Sequence, residues 1–208
     1  MKILATGISG PSDELDALRR AGHEVVIGRP LDAPGRKAWT EAELGEAVRD
    51  VDVILASHLE TISARVMAAA PKLRLVIVPF IGVDKIDLDA ASRLGIAVAN
   101  SPMQENFIAV AEATIGLMVV LFKRIKHNEA KLRGGGWARR DDRGAFLFGQ
   151  TVGLVGLGRI GTHVARRLAG WDVRLIASDP YVESAKAAAL NVALVDLPTV
   201  LAESDVVS

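Results

Sequence analysis

The sequence predicts an α/β chain of two successive parallel-sheet domains, and three observations carry that prediction. Short, nearly continuous apolar runs alternate with amphipathic helical stretches through the first hundred residues. A second alternation of the same style begins near residue 151, and a glycine-rich turn, Gly156-Leu157-Gly158-Arg159-Ile160-Gly161, stands between its first strand and its first helix. Strands that are apolar on both faces belong to parallel sheets covered by helices on each side, because right-handed crossovers place helices there. At 208 residues the chain has room for two domains, each near the usual lower size of about 100 residues.

Taken in order, residues 2–6, 24–27, 51–56, 73–78 and 97–99 read as strands. Ser12 is placed to cap a helix through Leu15, Leu18 and Arg19 that stops at Gly22, and Thr40 to cap another through Leu44 and Val48. A third helix covers about 63–70 and ends before Pro71, since a residue preceding proline is pushed out of the helical region; a fourth spans 88–94 and stops at Gly95. Ligands bind such sheets beyond the carboxyl ends of the strands, which singles out the loops at 7–12, 57–61 and 79–84.

After Asn100-Ser101-Pro102 the pattern predicts one long connector helix over about 106–132, apolar in its first half and basic in its second. The apolar stretch 107–122 contains Glu112 and is 16 residues long, short of the roughly 20 that a membrane span needs. A buried helix is the expectation there. Lys123, Arg124, Lys126, Lys131 and Arg133 read as a solvated face, Gly134-Gly135-Gly136 as a breaker, and 137–149 as an irregular charged segment. Residues 151–155 then form a strand, 159–169 a helix and 173–178 a second strand.

Composition narrows the function classes. Lys plus Arg and Asp plus Glu both number 25, so no summed field draws nucleic acid or an anionic membrane, and a small-molecule partner is favoured. The absence of cysteine excludes disulfides, thiolate metal sites and a cysteine nucleophile, and fits a reducing compartment, the cytoplasm. No metal site is expected. The first seven residues read at once as a strand and are too short an apolar run for the core of a signal peptide.

The glycine turn carries the chemistry. Gly156 permits a tight turn, Gly158 lets the backbone approach a pyrophosphate, and Gly161 lets the helix pack close to the strand, while the amides of Arg159 and Ile160 point at phosphate with the helix dipole behind them. Such a motif alone is weak evidence, because glycines also end strands for steric reasons. Asp179 adds weight: it ends the next strand, 18 positions after Gly161, where a carboxylate accepts from both ribose hydroxyls and repels a 2′-phosphate. That selects NAD over NADP. The competing reading has Asp179 merely capping a turn before Pro180.

Beyond the turn, Pro71-Lys72-Leu73-Arg74, Gly82-Val83-Asp84-Lys85-Ile86-Asp87-Leu88, Gly95-Ile96-Ala97-Val98-Ala99-Asn100-Ser101-Pro102, Val110-Ala111-Glu112-Ala113-Thr114, Gly149-Gln150-Thr151 and Ser204-Asp205-Val206-Val207-Ser208 follow one another in register. On these segments the chain resembles the D-isomer-specific 2-hydroxyacid dehydrogenases, a group that includes D-lactate dehydrogenase, glyoxylate and hydroxypyruvate reductases, formate dehydrogenase and 3-phosphoglycerate dehydrogenase. The resemblance implies a flavodoxin-like doubly wound substrate domain at 1–101. Behind it, at 102–208, comes a Rossmann dinucleotide-binding domain that is incomplete at its C-terminus. It also implies that backbone amides at Ile81 and Gly82 hold the substrate carboxylate, that NAD is the cofactor, and that the protein pairs as a homodimer through the nucleotide domain.

The resemblance further implies a His–carboxylate pair as general acid/base and an Arg that binds the 2-oxo acid, all C-terminal to the last matched segment. None of the catalytic residues is therefore assigned among these 208, and the expectation is a truncated piece, inactive alone, of a longer dehydrogenase. His23, His58, His127 and His163 fall outside the catalytic position, with His58 read as a solvated loop residue. Two departures bear on the pocket: Phe80 stands where small or polar residues are usual, and Lys85 where Asn is. A third, the missing glycine at Met103, bears on the cofactor side. The alternatives to a dehydrogenase are an NAD-sensing co-repressor-like module on the same scaffold, or an inactive fragment, since one scaffold hosts several functions.

Overall fold

A computed structural model describes residues 1–7, 13–30, 33–35 and 37–208, which form two compact units, Met1–Pro102 and Met103–Ser208. In the first unit β1 (Lys2–Ala5), α1 (Asp13–Arg20), β2 (Glu24–Ile27), α2 (Glu41–Ala47), β3 (Val53–Leu55), α3 (Ala64–Ala68), β4 (Leu75–Val78), α4 (Leu88–Leu94) and β5 (Ala97–Asn100) alternate. All five strands are parallel in the order β2-β1-β3-β4-β5, which is the flavodoxin-like order. Leu4, Ile54 and Val76 of the sheet pack with Leu44, Val48, Val66 and Met67 of the helices in one core.

Local chemistry sets the helix ends. The Thr40 hydroxyl accepts from the Glu43 amide at 3.2 Å while the Glu43 carboxylate accepts from the Thr40 amide at 2.8 Å, a reciprocal box that satisfies two otherwise orphaned donors. The Thr40 amide, the Arg29 guanidinium and the Thr40 hydroxyl together hold the Glu43 carboxyl at a pKa of about 2. Ser63 and Asp87 cap α3 and α4 one way, their side chains accepting from the Val66 and Ala90 amides, and Gly95 ends α4 with φ 69°. The Ser12 cap lies outside the described residues.

The second unit contains α5 (Gln104–Phe122), α6 (Ile125–Arg133), a single 3₁₀ turn (Arg140–Asp142), β6 (Thr151–Val155), α7 (Arg159–Leu168), β7 (Arg174–Ser178), α8 (Ser184–Ala188), β8 (Val192–Leu194), α9 (Leu197–Glu203) and β9 (Val206–Val207). Its parallel sheet runs β8-β7-β6-β9. The chain thus steps outward from β6 through β7 to β8 and then returns to the other side of β6. That reversal is a topological switch point, and it puts the ligand crevice at the carboxyl end of β6, where the glycine turn begins.

Two expectations need correction here. The helix predicted over 106–132 is two helices, because Arg124 adopts φ 51° between them. Its cause is distant in sequence: the Ala145 amide donates to the Phe122 carbonyl at 2.8 Å, and a side chain on Gly144 would begin 2.4 Å from that same oxygen. The returning segment takes over a carbonyl that a continuous helix would have used.

Nor is α5 buried in this chain. Phe107, Ala111 and Met118 are its buried residues, whereas Leu117 and Leu121 are 65% and 66% exposed. Among the described residues α5 is the one helix long and apolar enough to cross a membrane by length and composition; it packs instead along α7, with an ion pair between Arg167 and Glu112 at 3.2 Å.

Lys123, Arg124, Lys126 and Arg133 are exposed, as a solvated face requires, and Lys131 is half-buried. Arg124 donates to the Asp141 carbonyl at 2.6 Å, and Lys131, His127 and the Arg139 amide all converge on the buried Asp142 carboxylate. The Lys131 ammonium, the His127 ring and the Arg139 amide hold that carboxyl well below the usual carboxylate range. This cluster pins the 3₁₀ turn to α6.

Candidate functional site

The three glycines of the turn meet three different steric demands. Gly156 has φ 99°, a conformation that side chains disfavour. A Cβ on Gly161 would begin 2.3 Å from the Gly156 carbonyl oxygen, so α7 packs at this distance from the turn only without one. Around Gly158 the opposite holds: no atom lies within 4 Å of where a Cβ would stand. No neighbouring atom requires glycine there, and the space a Cβ would fill is the space through which a ligand approaches the backbone.

That space adjoins free donors. The amides of Arg159 and Ile160, at the first turn of the ten-residue α7, have no acceptor among the described residues, as the opening amides of a helix do not. Both side chains are exposed, and the Arg159 guanidinium rests 5.1 Å over the Phe107 ring, which orders it without occupying the amides. Unsatisfied N–H groups, an open glycine and the positive end of a helix form a receptor for pyrophosphate oxygens.

Asp179 stands beside this turn. One carboxylate oxygen accepts from the Leu157 amide at 2.7 Å, and the other from the Tyr181 and Val182 amides at 2.9 and 3.1 Å. The Leu157 amide first, then Tyr181 and Val182, lower its pKa below the usual carboxylate range. Asp179 therefore does cap the turn before Pro180 and also ties that turn to the glycine loop; Oδ1 already accepts twice, and Oδ2, with one donor, keeps lone-pair capacity for a hydroxyl. Two further residues not anticipated from the sequence brace the same loop: Lys186 Nζ and Thr162 Oγ1 donate to the Leu157 carbonyl at 3.4 and 3.2 Å. A lysine on a short helix gives no sequence signal of such a contact.

In the first unit the loop after β4 carries Ile81 and Gly82, both exposed. Their amides donate to no acceptor among the described residues, while the Ile81 carbonyl is held by Asn100 Nδ2 at 2.7 Å and the Phe80 carbonyl by the Ser101 amide at 3.0 Å. A Cβ on Gly82 would begin 2.8 Å from Asp84 Oδ2. With its carbonyls tied back toward β5 and the chain that follows it, the loop has free N–H groups with which to accept an anion.

The four histidines take other roles. His127 Nε2 lies 2.7 Å from Asp142 in the cluster described above, and His163 Nδ1 is 3.3 Å from Arg167. His23 is half-buried in the turn before β2. His58 is exposed, as expected of a loop residue, but its ring meets Phe80 edge-on at 5.6 Å. Among the described residues no group of three or more His, Asp or Glu could hold a metal ion.

Geometry and topology together define the second unit as a Rossmann-type dinucleotide-binding fold. Residues 115–208 match the sequence model of the family described as D-isomer specific 2-hydroxyacid dehydrogenase, NAD binding domain. The D-3-phosphoglycerate dehydrogenase of Mycobacterium tuberculosis is 39% identical over 187 residues, which are 90% of this chain and 34% of that protein. Among solved structures, the TT0316 protein of Thermus thermophilus superposes with a TM-score of 0.86 at 32% identity, over 100% of this chain and 63% of that one. The NAD-dependent formate dehydrogenase of Staphylococcus aureus, solved with NAD, gives 0.79 at 25% identity, over 100% and 64%. Residues 115–208 thus belong with the NAD-binding domain of the D-isomer-specific 2-hydroxyacid dehydrogenases, and the whole chain is similar to members of that family. It spans about a third of the length of the curated relatives it matches.

Proposed function

We propose that the full-length protein is an NAD-dependent oxidoreductase acting on a small 2-hydroxy or 2-oxo acid, with residues 1–101 as its substrate domain and 102–208 within its nucleotide domain. The observation that carries this reading is the turn at Gly156, Gly158 and Gly161, open at Gly158, where neither a neighbouring atom nor a positive φ calls for glycine. In this reading the amides of Arg159 and Ile160 hold the pyrophosphate and Asp179 accepts from the adenosine ribose, while the amides of Ile81 and Gly82 hold the substrate carboxylate. Once bound, the nicotinamide supplies or accepts the hydride.

No general acid/base is assigned among these residues. His127 is committed to Asp142 and His163 to α7, so neither is offered for that role. The family's similarity to NAD enzymes of small acids makes a soluble, cytoplasmic protein the companion reading, without nucleic-acid or membrane partners. A homodimer would cover the exposed apolar face of α5, where Val110, Leu117 and Leu121 stand in solvent.

The test is an assay of the full-length protein with NADH and glyoxylate, pyruvate, hydroxypyruvate or 3-phosphohydroxypyruvate. Oxidation of NADH with at least one of them is the expected result. NAD binding by calorimetry with no turnover of any 2-oxo acid would instead favour a cofactor-sensing module.

A further inference from the structure

We propose that the pocket at the carboxyl ends of β3 and β4 selects a 2-oxo acid with an uncharged, apolar side chain and disfavours a phosphorylated one. This rests on the functional reading above and goes beyond it, because it sets this chain apart from the 3-phosphoglycerate dehydrogenases to which it is similar. The pocket encloses about 360 Å³, within the usual range of about 300–1,000 Å³ for small-ligand sites. Gly82 forms part of its lining, so a carboxylate held at the Ile81 and Gly82 amides would direct the rest of the molecule into it.

The wall beyond Gly82 is apolar. Val78, Val83 and Ile86 line it, and the Phe80 ring closes one side against the edge of His58, with the two ring planes at 88°. Ser57, His58, Glu60, Asp84 and Lys85 make up the polar lining; the Glu60 carboxylate, 1% exposed, already accepts from Ser57 Oγ and the Trp39 amide, both at 3.3 Å, so the exposed Asp84 is the carboxylate that an entering group meets. Lys85 is the cation among the described lining residues, and its ammonium already donates to the Leu59 carbonyl at 3.1 Å.

A phosphate monoester carries about two negative charges and is bound by several charge-assisted donors, most often from arginine forks. No arginine lines this pocket among the described residues. Placing a dianion beside Asp84 would add repulsion at close range. A branched alkyl group instead meets Val78, Val83, Ile86 and the Phe80 face and loses nothing polar on entry. Phe80 is therefore the specificity-determining residue of this wall.

Steady-state kcat/KM of the full-length protein with NADH, measured on glyoxylate, 4-methyl-2-oxopentanoate and 3-phosphohydroxypyruvate, tests the proposal. The expected result is at least a tenfold preference for 4-methyl-2-oxopentanoate over 3-phosphohydroxypyruvate. Phe80→Ala should then shift the ratio between 4-methyl-2-oxopentanoate and glyoxylate about tenfold toward glyoxylate, the scale on which apolar contacts discriminate. Phe80→Leu, which keeps an apolar side chain, should shift that ratio less than Phe80→Ala. A preference for 3-phosphohydroxypyruvate, or a Phe80→Ala ratio equal to wild type, would overturn the pocket assignment while leaving the dehydrogenase reading in place. Failure to reduce any of the three acids would bring down that reading and this inference with it.

Discussion

Substituting alanine at two glycines of one turn should separate binding from stability. At Gly161 a Cβ would begin 2.3 Å from the Gly156 carbonyl oxygen and 3.2 Å from its carbon, so the start of α7 must shift away from backbone that cannot flex like a side chain. Overpacking of this kind costs about 1–3 kcal/mol. In a chain of this size each 1 kcal/mol moves Tm by about 2–4 °C, so at the middle of that range, about 2 kcal/mol, Gly161→Ala should melt roughly 4–8 °C below wild type by calorimetry. At Gly158 no atom lies within 4 Å of the added Cβ, and Tm should move by less than about 4 °C. NAD affinity should behave differently. A methyl group there stands between the ligand and the amides, and losing one or two hydrogen bonds to charged oxygen, about 1.5–3 kcal/mol each, weakens binding at least tenfold. A Gly158→Ala protein that binds NAD as wild type would refute the assignment of that space to the pyrophosphate. An unchanged Tm in Gly161→Ala would refute the packing argument.

Other consequences are open to measurement. Asp179 has its pKa lowered by backbone donors, so its carboxylate is ionised above the ordinary value of 3.8 and its contribution is lost only as pH falls through the lower folded value; NAD affinity should stay flat from pH 8 to 5 in a titration series. Thr40→Ala removes the hydroxyl that accepts from Glu43 and should destabilise the protein by about 1 kcal/mol in urea unfolding. Asp142→Ala releases Lys131, His127 and the Arg139 amide at once, and limited proteolysis should then cut within 134–149 faster than in wild type. If α5 supplies a dimer interface, Leu117→Arg at its 65% exposed position should convert a dimer to a monomer by light scattering, and a wild-type monomer at micromolar concentration would count against the interface.

Features fixed by local chemistry were readable from the residues. Gly156 and Gly161 answer conformational and steric demands within one strand–turn–helix unit, Thr40 and Glu43 make their own cap, and Gly95 ends α4 by its own φ. The strands were readable because burial on both faces demands apolar runs, and Ile54 and Val76 comply with complete burial. What escaped notice depends on distant contacts. The break at Arg124 comes from Gly144 and Ala145 folding back onto Phe122, and the brace on Leu157 comes from Lys186, 29 residues away. For α5 the apolar sequence signalled burial, but a single chain buries only a narrow stripe of it.

The central claim is that the turn and Asp179 together hold the adenosine half of NAD. Calorimetric titration of the full-length protein with NAD and NADP, for wild type and Asp179→Ala, tests it most directly. Wild type should bind NAD at least tenfold more tightly than NADP, and Asp179→Ala should lose at least tenfold in NAD affinity and most of that preference, since a hydroxyl contact to a charged acceptor is removed. NAD affinity unchanged by Asp179→Ala, or tighter binding of NADP by wild type, would contradict the account.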